Sequence, residues 1–172
     1  INWGNIKTPK DFERVCRLAV RGLDELLDYQ NYPVVSAELS TMKRRPLGIG
    51  IINFAFWLAK NDLNYQDINA KGLALVDEWA EEWSYYLIKA SADLAIDKGN
   101  IDGVYETKYG DGITPNQTYK KELDELVPHK ERMPWKSLRK QLKKTGIRNS
   151  TLMALMPAET SAQISNSTNG IE

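Results

Sequence analysis

Apolar residues recur at spacings of three and four along several stretches of the chain, which is the period of an amphipathic helix. The first such stretch follows Thr8 and Pro9, which are residue types favoured at a helix N-cap and first turn, and it ends before Pro33. The spacing predicts a helix with one buried face, formed by Phe12, Val15, Cys16, Ala19, Leu23, Leu26 and Leu27.

The longest helical pattern runs from Ile68 to Asp97 and has a wide apolar and aromatic side. Four acidic residues within it suggest the inward-facing carboxylates of a dimetal bundle: Asp77, Glu78, Glu81 and Glu82. The histidine that would complete a Glu-x-x-His unit is absent, and the single histidine, His129, lies in a loop between two prolines. We therefore predict a solvated acidic face and no metal site.

Two shorter helices have recognisable ends. Residues 114–117 have the sequence of a capping box, with a first-turn proline, and predict a short helix through Leu126. Pro134 and Gly146 are the residue types that begin and end a helix, so the sequence predicts a second helix between them.

A glycine-broken segment, Gly48–Ile49–Gly50, precedes an apolar stretch over 51–59. The pattern predicts a glycine turn that leads into a buried helix. A glycine loop before a helix can bind phosphate through its backbone N–H groups, but this segment lacks the spacing of a P-loop or a dinucleotide fingerprint. It is therefore the weaker of two candidate phosphate sites.

The stronger candidate follows an apolar run over 152–156, which is bounded by Asn and Ser before it and by Pro157 after it and predicts a short buried strand. Ligands of α/β proteins bind where such a strand turns into a helix. The backbone N–H groups of 158–161 and the hydroxyls of this turn would bind an anion. We predict a phosphate-binding turn formed by Pro157, Ala158, Glu159, Thr160 and Ser161. On these residues alone, a helix cap followed by a polar tail is an equal alternative.

Composition narrows the class of protein. The 172 residues, 42% hydrophobic and 27% charged, suit one globular domain. Lys and Arg together number 23, as do Asp and Glu, so no net charge attracts nucleic acid. The longest apolar stretch, over 47–59, is too short to span a membrane. A single cysteine excludes an internal disulfide and fits a reducing, cytoplasmic location.

The two ends of the sequence suggest an internal piece of a longer chain. The first residue is Ile1 rather than methionine, and Glu172 follows a polar turn without a closing helix or strand. We expect residues 1–172 to be part of a single catalytic domain that is incomplete at both ends.

Several segments of the chain resemble segments of one known family, and they occur in the same order in both. Residues 148–151, reading Arg-Asn-Ser-Thr, and residues 157–166, reading Pro-Ala-Glu-Thr-Ser-Ala-Gln-Ile-Ser-Asn, resemble the large subunit of ribonucleotide reductase in its aerobic class I form. The segments 18–24, 27–30, 47–50 and 53–55 resemble the same subunit. The resemblance therefore runs nearly end to end.

This resemblance implies a helix-rich α/β fold, as a slice of the family's ten-stranded α/β barrel. It also implies an oxidoreductase activity: reduction of ribonucleoside diphosphates to 2′-deoxyribonucleoside diphosphates by thiyl-radical chemistry, which supplies DNA precursors. In the family, the loop that matches 157–161 holds the substrate diphosphate. The carboxylate of Glu159 is then expected to point away from the phosphate.

The resemblance implies partners that this chain does not contain. The family uses a di-iron tyrosyl-radical small subunit as its radical source and thioredoxin or glutaredoxin as its reductant. ATP and deoxynucleotides are its allosteric effectors, and its large subunit forms a homodimer. We expect this chain to bind no cofactor or metal itself, and no membrane or nucleic acid. Cys16 matches no catalytic position of the family, so no catalytic residue is assigned and the chain alone is expected to be inactive.

Two alternatives remain open at this point. A cobalamin-dependent relative would keep the enzyme but change the radical generator. A non-catalytic helical module would instead use its amphipathic faces for protein interaction. The ordered matches along the chain favour the reductase, because an unrelated helical module has no reason to reproduce them.

Overall fold

A computed structural model describes residues 1–66, 68–128 and 130–171. Within these ranges it contains six α-helices and four short 3-10 helices. The α-helices are α1 (Asp11–Tyr29), α2 (Val35–Arg44), α3 (Phe54–Lys60), α4 (Ala70–Lys98), α5 (Trp135–Thr145) and α6 (Glu159–Ile164). The 3-10 helices are Trp3–Asn5, Val104–Glu106, Pro115–Gln117 and Lys121–Glu125. His129 lies outside the described residues.

The centre of the fold is the packing of α1 along α4. The buried residues of α1 recur every four positions, at Phe12, Cys16, Val20 and Asp24. Leu26 was predicted to be buried, but its side chain is 55% exposed, so that prediction is wrong. Here the buried stripe of α1 continues through Asp24 rather than Leu26, and it includes a polar residue that apolar periodicity does not detect.

An aromatic cluster closes the core next to this helix pair. The Trp3 ring lies 5.4 Å from Trp57, 5.7 Å from Trp79 and 5.7 Å from Phe12, measured between ring centroids. Such edge-on and tilted contacts are the favoured geometry of aromatic pairs. The cluster attaches the N-terminal residues and α3 to α4.

Three extended segments lie side by side in parallel, although none forms a strand within the described residues. Ile49 is bridged to Met153, and Ile52 is bridged to Asn2. The predicted glycine turn at 48–50 is therefore wrong, because these residues are extended and pair with 151–154. The predicted buried strand is also only partly correct: Leu152 is buried, whereas Leu155 is 60% exposed.

A buried polar cluster joins the starts of these segments to the helices. Arg45 has a φ of +45° and is 4% exposed. Its guanidinium forms ion pairs with Asp24 at 2.7 Å and with Asp28 at 2.8 Å, and the Arg45 contact lowers the pKa of Asp28. The carbonyl of Arg45 accepts a hydrogen bond from the side chain of Asn149, so the cluster fixes α1 relative to both segments.

The local predictions for the remaining helices are largely confirmed. The helix α4 begins at Ala70, close to the predicted Ile68, and α5 begins after Pro134 and ends at Gly146, whose φ is +72°. The capping box at 114–117 is present. The helix predicted from it through Leu126 is replaced by two short 3-10 helices.

The acidic face predicted on α4 is wrong at Glu81, which is 7% exposed. One carboxylate oxygen of Glu81 accepts hydrogen bonds from the indole of Trp135 at 2.8 Å and from the backbone of Arg132 at 2.8 Å. The other oxygen contacts the Arg132 guanidinium at 3.0 Å. Burial raises the pKa of Glu81, but these hydrogen bonds outweigh it and the net pKa is lowered. Glu81 therefore attaches the start of α5 to α4.

Candidate anion site

All five residues of the predicted phosphate turn line one open cleft of about 880 Å³. The opposite wall is formed by half-buried apolar residues of α1, namely Val15, Ala19 and Leu23. The floor comes from the extended segment 48–50 and from Met156. The cleft therefore lies beside the end of the parallel segment that carries Met153, as the α/β pattern predicts.

The turn presents hydrogen-bond donors that are free within the described residues. The backbone N–H groups of Glu159, Thr160 and Ser161 have no acceptor there, and the hydroxyls of Thr160 and Ser161 donate to none. The helix α6 has only six residues, so its dipole is small and these individual donors are what an anion would contact. Thr160 and Ser161 are exposed, so a ligand in the cleft can reach them.

The prediction for Ala158 needs a correction. Its backbone N–H was expected to point at an anion, but it donates to Oδ1 of Asn169 at 2.5 Å. Sequence reasoning missed Asn169 because nothing in the local pattern relates two residues on opposite sides of α6.

The floor of the cleft depends on a close backbone approach at Gly50. A Cβ atom at this position would lie 2.7 Å from the carbonyl oxygen of Ala154 and 2.7 Å from Sδ of Met156. Both distances are shorter than real contacts, so only glycine allows Met156 to lie here. The requirement is not visible in the sequence, because the partner residues are about 100 positions away.

The chain doubles back after α6 and contacts the turn a second time. We call residues 166–171 the return segment. Asn166 has a φ of +48° and ends the helix, and the N–H of Ser167 donates to the carbonyl of Ala162 at 2.9 Å. Asn53 and Thr168 then form two hydrogen bonds, and the hydroxyl of Tyr65 donates to the carbonyl of Ile171 at 2.7 Å.

The charges around the cleft determine which chemistry it suits. The described residues that line it include no lysine or arginine, and Glu159 is the one acid among them. The ammonium of Ile1 also lies in the lining, where it donates to the carbonyl of Gly50 at 2.6 Å. The turn itself therefore offers an anion neutral N–H and hydroxyl donors. The arrangement suits hydrogen bonding to a phosphate.

Other polar features of the described residues offer less chemistry. A second cavity of about 550 Å³, lined by Arg44, Lys108 and Tyr109 among others, contains none of the predicted site residues. Burial raises the pKa of the Cys16 thiol to about 12, so it stays protonated at neutral pH and does not act as a thiolate nucleophile. No three His, Cys, Asp or Glu side chains cluster as metal ligands in the part of the chain that the structure covers.

No helix within 1–66, 68–128 and 130–171 combines the length and apolar character that a membrane span needs.

Comparison with known proteins gives a consistent result. Residues 5–172 match the family described as ribonucleotide reductase, barrel domain. The chain is 51% identical over its full length to the ribonucleoside-diphosphate reductase subunit alpha of Buchnera aphidicola from Schizaphis graminum, and 52% identical over 99% of its length to that of Haemophilus influenzae. It is 47% identical over 95% of its length to the subunit alpha of phage T4. The chain spans about a fifth of the length of these relatives.

Proposed function

The chain belongs to the ribonucleotide reductase barrel-domain family, and on that premise we propose that it is part of the large subunit of a ribonucleoside-diphosphate reductase. The complete subunit, meaning the longer polypeptide in which this chain would lie, reduces ribonucleoside diphosphates to 2′-deoxyribonucleoside diphosphates. A match that runs from residue 5 to residue 172 favours this proposal over an unrelated helical interaction module.

Within that subunit, the segment 157–161 holds the diphosphate of the substrate. The observation that carries this assignment is that all five residues line one cleft, with the N–H groups of 159–161 free of acceptors within the described residues. The resemblance of 157–166 to the family's substrate loop supports it independently. The segment binds and orients the substrate, while the radical chemistry is performed by residues elsewhere in the subunit.

The parallel segments are the basis for proposing a larger barrel. Residues 1–3, 47–53 and 151–154 lie side by side and are joined by single bridges at Asn2–Ile52 and Ile49–Met153. In a complete ten-stranded barrel, neighbouring strands extend such pairings into ladders, because each strand then has a partner on both sides. The chain would contribute part of that barrel, and residues 1–172 would lie within a single catalytic domain.

The other components belong to the complete enzyme. We propose a di-iron tyrosyl-radical small subunit as the radical source, thioredoxin or glutaredoxin as reductant, ATP and deoxynucleotides as allosteric effectors, and a homodimer of large subunits in the cytoplasm. We assign none of the radical or redox groups to this chain, because its one cysteine, Cys16, is fully buried between α1 and α4, where neither substrate nor reductant reaches it. The chain on its own is therefore proposed to be inactive.

A substitution at the turn tests the phosphate assignment. Ser161→Phe in the complete subunit removes a hydroxyl donor and fills the mouth of the cleft, so the KM for cytidine diphosphate should rise by about tenfold or more. The matched control is Gln163→Phe, which places the same ring on the exposed side of α6, away from the cleft lining. Equal KM values for the two variants would contradict the assignment.

A further inference from the structure

We infer that Asn169 is a positioning residue for the phosphate turn: its side-chain oxygen accepts the N–H of Ala158 and so leaves the next three N–H groups directed to the substrate. The inference rests on the proposed function, since it concerns the same cleft. Asn169 is not among the residues that line that cleft, so it acts through the backbone of the turn.

The first step of the argument is the hydrogen bond itself. The N–H of Ala158 donates to Oδ1 of Asn169 at 2.5 Å, across 11 residues of sequence. Ala158 is the N-cap of α6, with a φ of −109° and a ψ of 15°, and no side chain caps this helix. The bond therefore restrains the residue that sets the direction of the N–H groups of 159–161.

The second step is that the return segment is itself held on both sides of Asn169. After Asn169, the hydroxyl of Tyr65 donates to the carbonyl of Ile171 at 2.7 Å, and before it Thr168 is bonded to Asn53. The N–H of Asn53 donates to the carbonyl of Thr168 at 2.9 Å, and the N–H of Thr168 donates to Oδ1 of Asn53 at 3.2 Å. Asn53 is 6% exposed and has a φ of +65°, so it is held firmly at the start of α3. Asn169 is thus a short rigid link between α3 and the turn.

The third step explains why the residue is an amide rather than an acid. An aspartate at 169 would accept the same hydrogen bond with greater strength. It would also add a negative charge beside a bound diphosphate, in a cleft whose described lining residues include no lysine or arginine to compensate it. Asparagine supplies the acceptor without that repulsion.

These steps predict a raised KM for two variants of the complete subunit, with a different dependence on salt. Asn169→Ala removes the acceptor, so the KM for cytidine diphosphate should rise about fivefold to tenfold, with kcat changed less than about twofold. Asn169→Asp keeps the acceptor, and therefore the fold, but adds the charge. Its KM should rise at least as much at low salt and should recover towards the wild-type value as ionic strength increases.

A purely structural role gives a different pattern. Asn169→Ala would then lower the melting temperature while the KM of the folded protein stayed at the wild-type value, and that result would overturn the inference. Asn169→Ser, which can restore an acceptor without charge, should recover part of the loss in Asn169→Ala. If Ser161→Phe raises KM while both Asn169→Ala and Asn169→Asp leave it unchanged, the inference fails alone. If Ser161→Phe has no effect either, the proposed site fails and the inference with it.

Discussion

Asn149 and Ser91 are 58 residues apart in sequence and exchange two hydrogen bonds in the interior of the protein. The hydroxyl of Ser91 donates to Oδ1 of Asn149 at 2.8 Å and accepts the backbone N–H of Asn149 at 3.0 Å. The side-chain amide of Asn149 also donates to Asp24 at 3.0 Å. One fully buried residue thereby joins α1 and α4 to the segment that leads to residues 157–161.

Asn149→Ala should destabilise the protein strongly. Removing the amide leaves the buried Ser91 hydroxyl and the Asp24 carboxylate with fewer partners, at a cost of about 1–3 kcal/mol for each group left unsatisfied. The measurement is the melting temperature of the complete subunit. Asn5→Ala, at an exposed position, is the control and should change little. Equal melting temperatures for the two variants would show that the buried cluster does not stabilise the fold.

Two glycine substitutions should act in opposite directions. Gly50→Ala forces apart the parallel segments, because the new Cβ would lie 2.7 Å from the carbonyl of Ala154, and overpacking of this kind costs about 1–3 kcal/mol. Gly22→Ala lies on the exposed side of α1 with no atom within 4 Å of its Cβ, and should stabilise the helix by about 0.5–1 kcal/mol. Thermal unfolding of both variants checks the signs, and a stabilising Gly50→Ala would contradict the close approach at this site.

Glu81 should make stability depend on pH in the acidic range. Its pKa in the folded state is below the ordinary value of 4.5, so its contribution is complete above that pH and is lost as the pH falls through the folded-state pKa. Glu81→Gln should therefore be less stable than wild type at pH 7, and the difference should shrink below pH 4.5. Glu38→Gln, on the exposed side of α2, should show no such trend. A Glu81→Gln difference that stays constant with pH would exclude this role.

The chain expressed alone should associate or bind hydrophobic dyes. The helix α2 has no buried residue, and the side chains of Val35 and Leu39 are 70% and 66% exposed. Exposed apolar surface of this kind tends to be covered by other protein, and the unpaired extended segments add to the tendency. Size-exclusion chromatography with dye binding measures this. A monomer with a sharp two-state thermal transition would contradict the proposal that the chain is part of a larger barrel.

The features predicted correctly from sequence are those determined by neighbouring residues. The helices α4 and α5 follow from periodicity and from local start and stop residues such as Pro134 and Gly146. The helix α2 was not predicted, and with no buried residue it has no apolar stripe to reveal it. Local chemistry also identified 157–161 as residues of one turn, although it did not identify the wall of the cleft.

The features that were missed depend on distant contacts. Glu81 has the sequence context of a solvated acid, and its burial follows from partners at least 51 positions away in the chain. The apolar run over 152–156 was predicted to be a strand, but a strand needs a ladder of consecutive bridges, and within the described residues a single bridge, between Ile49 and Met153, joins this run to its neighbour. Asn169 is polar and exposed, so only the structure relates it to Ala158.

Hydrogen exchange of the complete subunit, with and without cytidine diphosphate, tests the central claim most directly. If the segment 157–161 holds the diphosphate, the N–H groups of Glu159, Thr160 and Ser161 become hydrogen-bonded on binding and their exchange slows. The segment 114–118, beside the second cavity, serves as the internal reference and should not change. Bound nucleotide with unchanged exchange at 159–161 would contradict the claim.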